Sequence, residues 1–172
     1  RDQPRSRGLG DVYKRQVKDK SREGSDSFRE TDTISKKAVS DVKQMKGLID
    51  SLPADVDDEI IQAAETVKEG TKSDAEGYMN SEVKSRVEQG KRTMEASSDM
   101  AKEQIQNNER ASQIFQQMDS VGSFGSAARE TGRDNIEHST QEFNNAINDN
   151  TQSMERAEQA FSHDLSEISG TF

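Results

Sequence analysis

No cysteine and no tryptophan occur in the 172 residues. The lack of cysteine excludes disulfides, thiolate nucleophiles and Cys-ligated zinc, and is compatible with any compartment. Proline occurs only at positions 4 and 53, and aromatic residues make up 5% of the chain. Hydrophobic residues reach 28% and charged residues 33%, a composition nearer the disordered and long-helix classes than the globular average. No apolar run approaches the roughly 20 residues that span a bilayer, so no membrane span is expected. What the chain does have is negative charge: 33 Asp and Glu against 24 Lys and Arg, a formal net charge of -9. Such a surface repels phosphate backbones and forgoes the gain from counterion release, so nucleic acid is not an expected partner.

The basic segment Arg1 to Gln16 does not match the rest of the chain. Back-translated, Asp11 to Gln16 can be written GAT GTG TAT AAG AGA CAG, which looks like the transposase mosaic end of tagmentation libraries. Ser6 to Gly10 fits TCT CGT GGG CTC GGA, the adapter just upstream. Residues 1–16 are therefore expected to be artefactual, adapter-derived and outside the fold, with residues 17–172 forming one elongated helical domain. The alternative is a genuine basic tail. If the segment is adapter, the native N-terminus is missing, a signal peptide or upstream domain stays open, and the location is unknown, with cytoplasmic and secreted both open. Removing five Lys and Arg and two Asp and Glu leaves 19 positive and 31 negative residues, a net charge near -12.

Nothing in the chain alternates like a strand, whereas three stretches repeat like helices. Ser27-Phe28-Arg29-Glu30 has the form of a capping box, in which a hydroxyl and a carboxylate satisfy the free N–H groups of a first turn. It predicts a helix over 27–52. Its stripe is Ala38, Val42, Met45, Ile49 and Leu52, spaced 4, 3, 4 and 3, a heptad seam crossed by Gly47. Pro53 disfavours a helical residue before it, and Asp55 can cap a second helix over 55–119. The apolar spacing there drifts nearer 3.6 than 3.5, and Gly70, Gly77 and Gly90 leave open whether this helix is continuous or broken in two. Val121 to Ser126 contains two glycines and a capping serine, which predicts a turn into a third helix over 126–169. Its stripe runs Ile136, Thr140, Phe143, Ile147, Asn150, Met154, Ala157, Phe161, Leu165 and Ile168, in heptads with one slip before Leu165.

The fold class implied is all-α: elongated antiparallel helical hairpins, or a coiled-coil bundle, of about three long helices. Helices one and three together match the length of helix two. They can lie end to end along it; a compact bundle is the alternative. The expected interaction seam is Val42, Met45, Ile49, Leu52, Ile105, Phe115, Met118, Phe143, Ile147, Asn150, Met154, Phe161 and Leu165, with the helix-three members facing Ile105, Phe115 and Met118. Asn150, polar in an apolar stripe, either fixes register as buried Asn does in coiled coils or is a tolerated, slightly exposed position.

Catalytic and metal chemistry is not expected. Asp55, Asp57, Asp58 and Glu59 lack the spacing and central glycine of a calcium loop and read as helix capping. Asp99 and Glu103 share a helix face without a pocket to part their pKa values. His138 and His163 stand far apart in polar surroundings and read as surface residues. No phosphate-binding or nucleophile-elbow motif is present. The expected protein is a non-enzyme with no cofactor and no metal, whose partner is another protein or a second copy of itself.

Two helices of about forty residues or more around a short Gly-containing turn resemble the helical hairpins exported by type VII secretion systems. In the WXG-type members a Trp-x-Gly motif occupies the turn; here Ser123-Phe124-Gly125-Ser126-Ala127 stands in its place, with Phe for Trp and Gly adjacent. The family's tail signal, Tyr followed four residues later by an acidic residue, is absent: Phe161 is followed by Leu165. The resemblance covers roughly 96–172 and implies an exported or effector-associated helical partner. A further alternative is a partly disordered, stress-protective protein of late-embryogenesis type, which the Ala-, Glu-, Lys- and Gly-rich stretch from Lys68 to Lys102 resembles. The lack of a fixed-period repeat and the regular third seam speak against it.

Overall fold

The computed structural model describes residues 3–120, 122 and 125–172, with side chains from residue 10 onward. The fold is all-α. Helix α1 spans Gln3–Asp50, α2 Asp58–Tyr78, α3 Lys84–Asp119 and α4 Ser126–Thr171, and a π-helical turn, Met79–Val83, joins α2 to α3. No strand occurs among the described residues. None of the described helices is long and apolar enough to cross a membrane.

The first helix differs most from its sequence expectation, since it begins at Gln3 and not at Ser27. The capping box is not used as one. Thr31 Oγ1 donates to the Ser27 carbonyl at 2.8 Å, and the Glu30 carboxylate lies 3.7 Å from Arg86 on the second helical rod. A capping box acts only where N–H groups lack partners. Here an inward-facing pattern runs on in the N-terminal direction through Ser35, Thr31, Phe28, Gly24, Ser21 and Val17, in steps of 4, 3, 4, 3 and 4, all buried or half-buried. None of residues 10–16 is buried, and Val17 is the first side chain in the core.

Pro53 ends α1 as expected, but α2 starts at Asp58 and its N-cap is Asp57, not Asp55. The Asp57 side chain makes no capping hydrogen bond; its carbonyl accepts the Ile60 and Ile61 N–H groups at 2.9 and 3.2 Å. The rod from Asp58 to Asp119 passes Gly70, Gly77 and Gly90 without a break. Its irregularity is the π turn. Inward residues Ala75, Met79, Val83 and Val87 succeed one another in three steps of four before 3-and-4 spacing resumes at Gly90, Met94, Ser97 and Ala101. In a regular helix three steps of four rotate a stripe by about 120°. A π turn holds more residues and takes up the excess, so Met79 and Val83 are both fully buried.

The chain divides into two compact units, one of Arg1–Gly24 with Arg92–Ser153, the other of Ser25–Lys91 with Met154–Phe172. In the first, Val17 of α1, Ala101 of α3 and Phe143 of α4 form the core, flanked by Met100, Ile105, Ala146 and Ile147. Asn150 meets Ser98 at 3.1 Å and Asn108 meets Thr140 at 3.0 Å, so α4 runs antiparallel to α3. The turn before α4 has Gly125 at φ 78°, where an L side chain is strained. The Arg129 N–H closes on the Gly125 carbonyl at 3.1 Å. The other turn residues of the expected secretion-like motif, Ser123 and Phe124, lie outside the described residues.

In the second unit the core is Val39 and Val42 of α1, Met79 and Val83 of the π turn and Ile168 of α4, flanked among others by Phe161 and Leu165. Ser35 bonds Asp164 at 2.6 Å and Lys43 reaches Glu167 at 3.3 Å, so α1 and α4 run parallel, side by side. Helices one and three are thus not laid end to end along helix two. The reason is the N-terminal extension of α1: Lys14 pairs with Glu142 in the first unit just as Lys43 pairs with Glu167 in the second.

Candidate interaction surface

The residues of the expected seam separate into three groups. Val42, Phe143 and Asn150 are buried. Met45, Ile49, Ile105, Phe115, Ile147, Met154, Phe161 and Leu165 are half-buried. Leu52 and Met118 are exposed. Phe143 and Ile147 do share a cluster with Ile105. Phe161 and Leu165 do not face Ile105, Phe115 or Met118; they pack on Val39, Val42, Met79, Val83 and Ile168. Because α4 runs antiparallel to α3, its early residues meet the end of α3, and its residues in the 160s pack instead within the second unit, against the π turn. Phe115 lies over Gly132, where an added Cβ would come within 2.8 Å of the ring.

The seams are held by polar side chains, of which the sequence pattern singled out only Asn150. Thr31, Ser35, Ser97, Ser98, Asn150 and Asp164 are buried, and each has a partner. Ser97 Oγ donates to the Val17 carbonyl at 2.9 Å and lies 2.8 Å from Ser21 Oγ. Asn150 Nδ2 donates to Ser98 Oγ and, at 3.4 Å, to the Met94 carbonyl. Asn150 is therefore buried and hydrogen-bonded, not a slightly exposed position. Asp164 accepts from Ser35 Oγ, with Lys36 Nζ at 3.7 Å. It also removes the slip before Leu165, because 161, 164 and 168 continue the 3-and-4 spacing and Asp164, not Leu165, is the inward residue. The sequence signal was there, as heptad continuity through polar positions.

His163, Asp164 and Glu167 place a possible ligand atom each within 4.8 Å of one another. Their carboxylates are already matched, Asp164 by Ser35 and Lys36 and Glu167 by Lys43. The Lys36 ammonium is held above its ordinary value chiefly by its hydrogen bond to Asp32, with partial burial opposing and Asp164 adding. A cation here would have to displace two ammonium groups, so the cluster works as an ion-pair network fastening α4 to α1.

One apolar surface in the second unit has no such cover. No residue of α2 is buried, and Leu48, Leu52, Ile60, Ile61, Val67 and Tyr78 are all exposed. A groove of about 430 Å3 between α1 and α2 is lined by Ile34, Ala38, Asp41 and Met45 on one side and Thr71, Asp74 and Tyr78 on the other. Each lining row continues in strict spacing toward the Pro53 turn. On α1 the row is 34, 38, 41, 45, 48 and 52; on α2 it is 60, 64, 67, 71, 74 and 78. Both rows step 4, 3, 4, 3 and 4, the signature of a helix seam that receives another helix. The face of α1 carrying Ser35, Val39 and Val42 is taken by α4 and the π turn, and Ile34, Ala38 and Ala75 at the closed end of the groove pack against that core; toward the Pro53 turn Leu48, Leu52, Ile60 and Val67 are left exposed.

At the groove and along the two helices toward the Pro53 turn, charge stands mostly in pairs, with Asp74 of the lining outside them. Lys37 bonds Asp41 at 2.8 Å, Lys68 bonds Glu65 at 2.8 Å, and Lys46 bonds Asp50. These bonds to Asp41 and Glu65 are the main reason the Lys37 and Lys68 ammonium groups are held above their ordinary values. No protein-family model, no curated protein and no solved structure matches this chain.

Proposed function

We propose that this protein is a non-enzymatic helical interaction module that uses the open α1–α2 seam to take up another helix. The supporting observation is that two rows of regular heptad spacing run from one groove toward the Pro53 turn, while no residue of α2 is buried. Isolated apolar residues on a surface need no explanation, but a contiguous apolar patch rimmed by charge marks an interaction site. The buried polar residues support the same reading, since satisfied polar pairs inside helical seams set register and partner choice more than they add stability.

The test is binding of a solvatochromic anilinonaphthalene dye to the whole folded chain at low protein concentration. The native chain is expected to bind and brighten the dye, and Ile60→Glu with Val67→Glu to abolish the signal at unchanged helicity. A native chain that is helical yet leaves the dye dark would overturn the proposal.

A further inference from the structure

We infer that the helix taken up by the α1–α2 seam belongs to a second copy of this chain, so that two α1–α2 hairpins close face to face into a two-fold four-helix bundle. The inference rests on the proposed interaction module and adds the identity of the partner.

Three observations carry it. The first is the match between the two rows. An isologous contact places each helix of one copy against a helix of the other, so every row must serve as both ridge and groove. The α1 and α2 rows have the same number of positions and the same step order, and they run antiparallel, as the pairing of Ser35 with Met79 and of Glu30 with Arg86 shows. A half-turn about an axis between them therefore lays α1 on α2 with like spacing throughout.

The second is charge. A chain of net charge -9 repels a copy of itself. Along this groove, however, Lys37, Lys46 and Lys68 each neutralise a carboxylate of their own helix. Asp74 is the one groove-lining carboxylate outside these pairs, so the seam is closer to balance than the acidic molecule as a whole, which suits a like partner. A strongly basic partner would be better met by an unpaired acidic rim.

The third is area. Leu48, Leu52, Ile60, Val67 and Tyr78 are between 39% and 67% exposed. Together they present on the order of 450 Å2 of largely apolar surface, within the roughly 300–600 Å2 of the largest patch a monomer leaves open. Two such patches give about 900 Å2, and the half-buried row residues and polar rims bring the contact to the roughly 1,200 Å2 lower end of a standard interface.

Sedimentation of the full chain across roughly a hundredfold range of concentration tests this, because a dimer reports its own mass action. The native chain is expected to pass from monomer to dimer. Leu48→Glu with Val67→Glu, which would bury unpaired carboxylates in the seam, is expected to weaken dimerisation by more than about a hundredfold at unchanged helicity. A dimer that survives both substitutions would place the self-contact elsewhere and overturn the inference. A native chain that stays monomeric but binds the dye through this face would overturn the second copy while leaving the interaction module standing, with a different protein's helix as its occupant. A monomer that also leaves the dye dark would remove both.

Discussion

Ser35 Oγ donates to Asp164 Oδ2 at 2.6 Å across the α1–α4 contact, with both side chains buried and 129 residues apart in sequence. Nothing apolar could make this bond, and neither partner is safe in the core without the other. Asp164→Ala leaves the Ser35 hydroxyl without its carboxylate and opens a void, so unfolding free energy is expected to drop by about 2–4 kcal/mol. Ser35→Ala should cost about 1–3 kcal/mol for the same reason. In urea titrations the double variant should lose less than the two single losses combined, since the shared bond is removed once. Additive losses would show that the bond contributes nothing of its own.

Gly90 and Phe28 pose a question of sign. Alanine is about 1 kcal/mol better than glycine inside a helix, yet a Cβ at Gly90 would lie 2.6 Å from Phe28 Cε1. Overpacking of that kind costs about 1–3 kcal/mol, so Gly90→Ala is expected to destabilise by up to about 2 kcal/mol. In a Phe28→Leu background the same change should become stabilising. Gly47→Ala and Gly70→Ala, where a Cβ would meet nothing within 4 Å, should each raise stability by about 0.5–1 kcal/mol in thermal melts.

Residues 1–16 reach the core with no described side chain, and the pair Lys14–Glu142 ties them to α4 at the surface. Deleting them is expected to lower stability by less than about 1 kcal/mol, since both partners stay well hydrated. The Glu142 carboxyl is held below its ordinary value chiefly by its hydrogen bond to Lys14. A lowered folded pKa contributes stability above the unfolded value, and that contribution is lost as pH falls through the folded pKa. Deletion should therefore raise the Glu142 titration toward the ordinary carboxylate range, read by NMR, and flatten the acid limb of the stability curve. A large loss of helicity in residues 17–172 would instead assign the segment a structural role.

Phe161 packs against the core cluster of Val39, Val42, Met79, Val83 and Ile168, on the side of Phe28, Val83 and Val87. Phe161→Asp sets an unpaired carboxylate there and is expected to cost more than about 3 kcal/mol. Hydrogen exchange should show protection lost first around Val39, Val42 and Met79. Loss centred on Ile105 and Phe115 would contradict this packing of α4.

Much of the fold was legible because apolar spacing and breakers are local signals. Pro53 and the glycines of the 122–125 turn divide the chain where the helices divide, and the stripe from Phe143 to Phe161 faces inward along its length. The start of α1 was not legible, because Ser27-x-x-Glu30 has the chemistry of a cap and only the environment decides whether its N–H groups are free. The inward place of Asp164, next to Leu165, was not legible for a related reason. Polarity alone argues against an inward aspartate, and it is a hydroxyl and an ammonium on α1, far away in sequence, that make it tolerable. The exposed seam was half visible: Met45 and Leu52 belong to it, but its α2 row shows itself only once α4 is seen to occupy the other face of α1.

The sequence by itself determined that this chain is helical, acidic and free of thiol chemistry, and where most of its helices turn, because propensity, charge and breakers act over a few residues. The tertiary structure decided which face of each helix is buried, which polar residues the core can hold and which apolar rows stay open. Those outcomes depend on the register between segments distant in sequence, and register is set by the sum of many packed contacts across the seams.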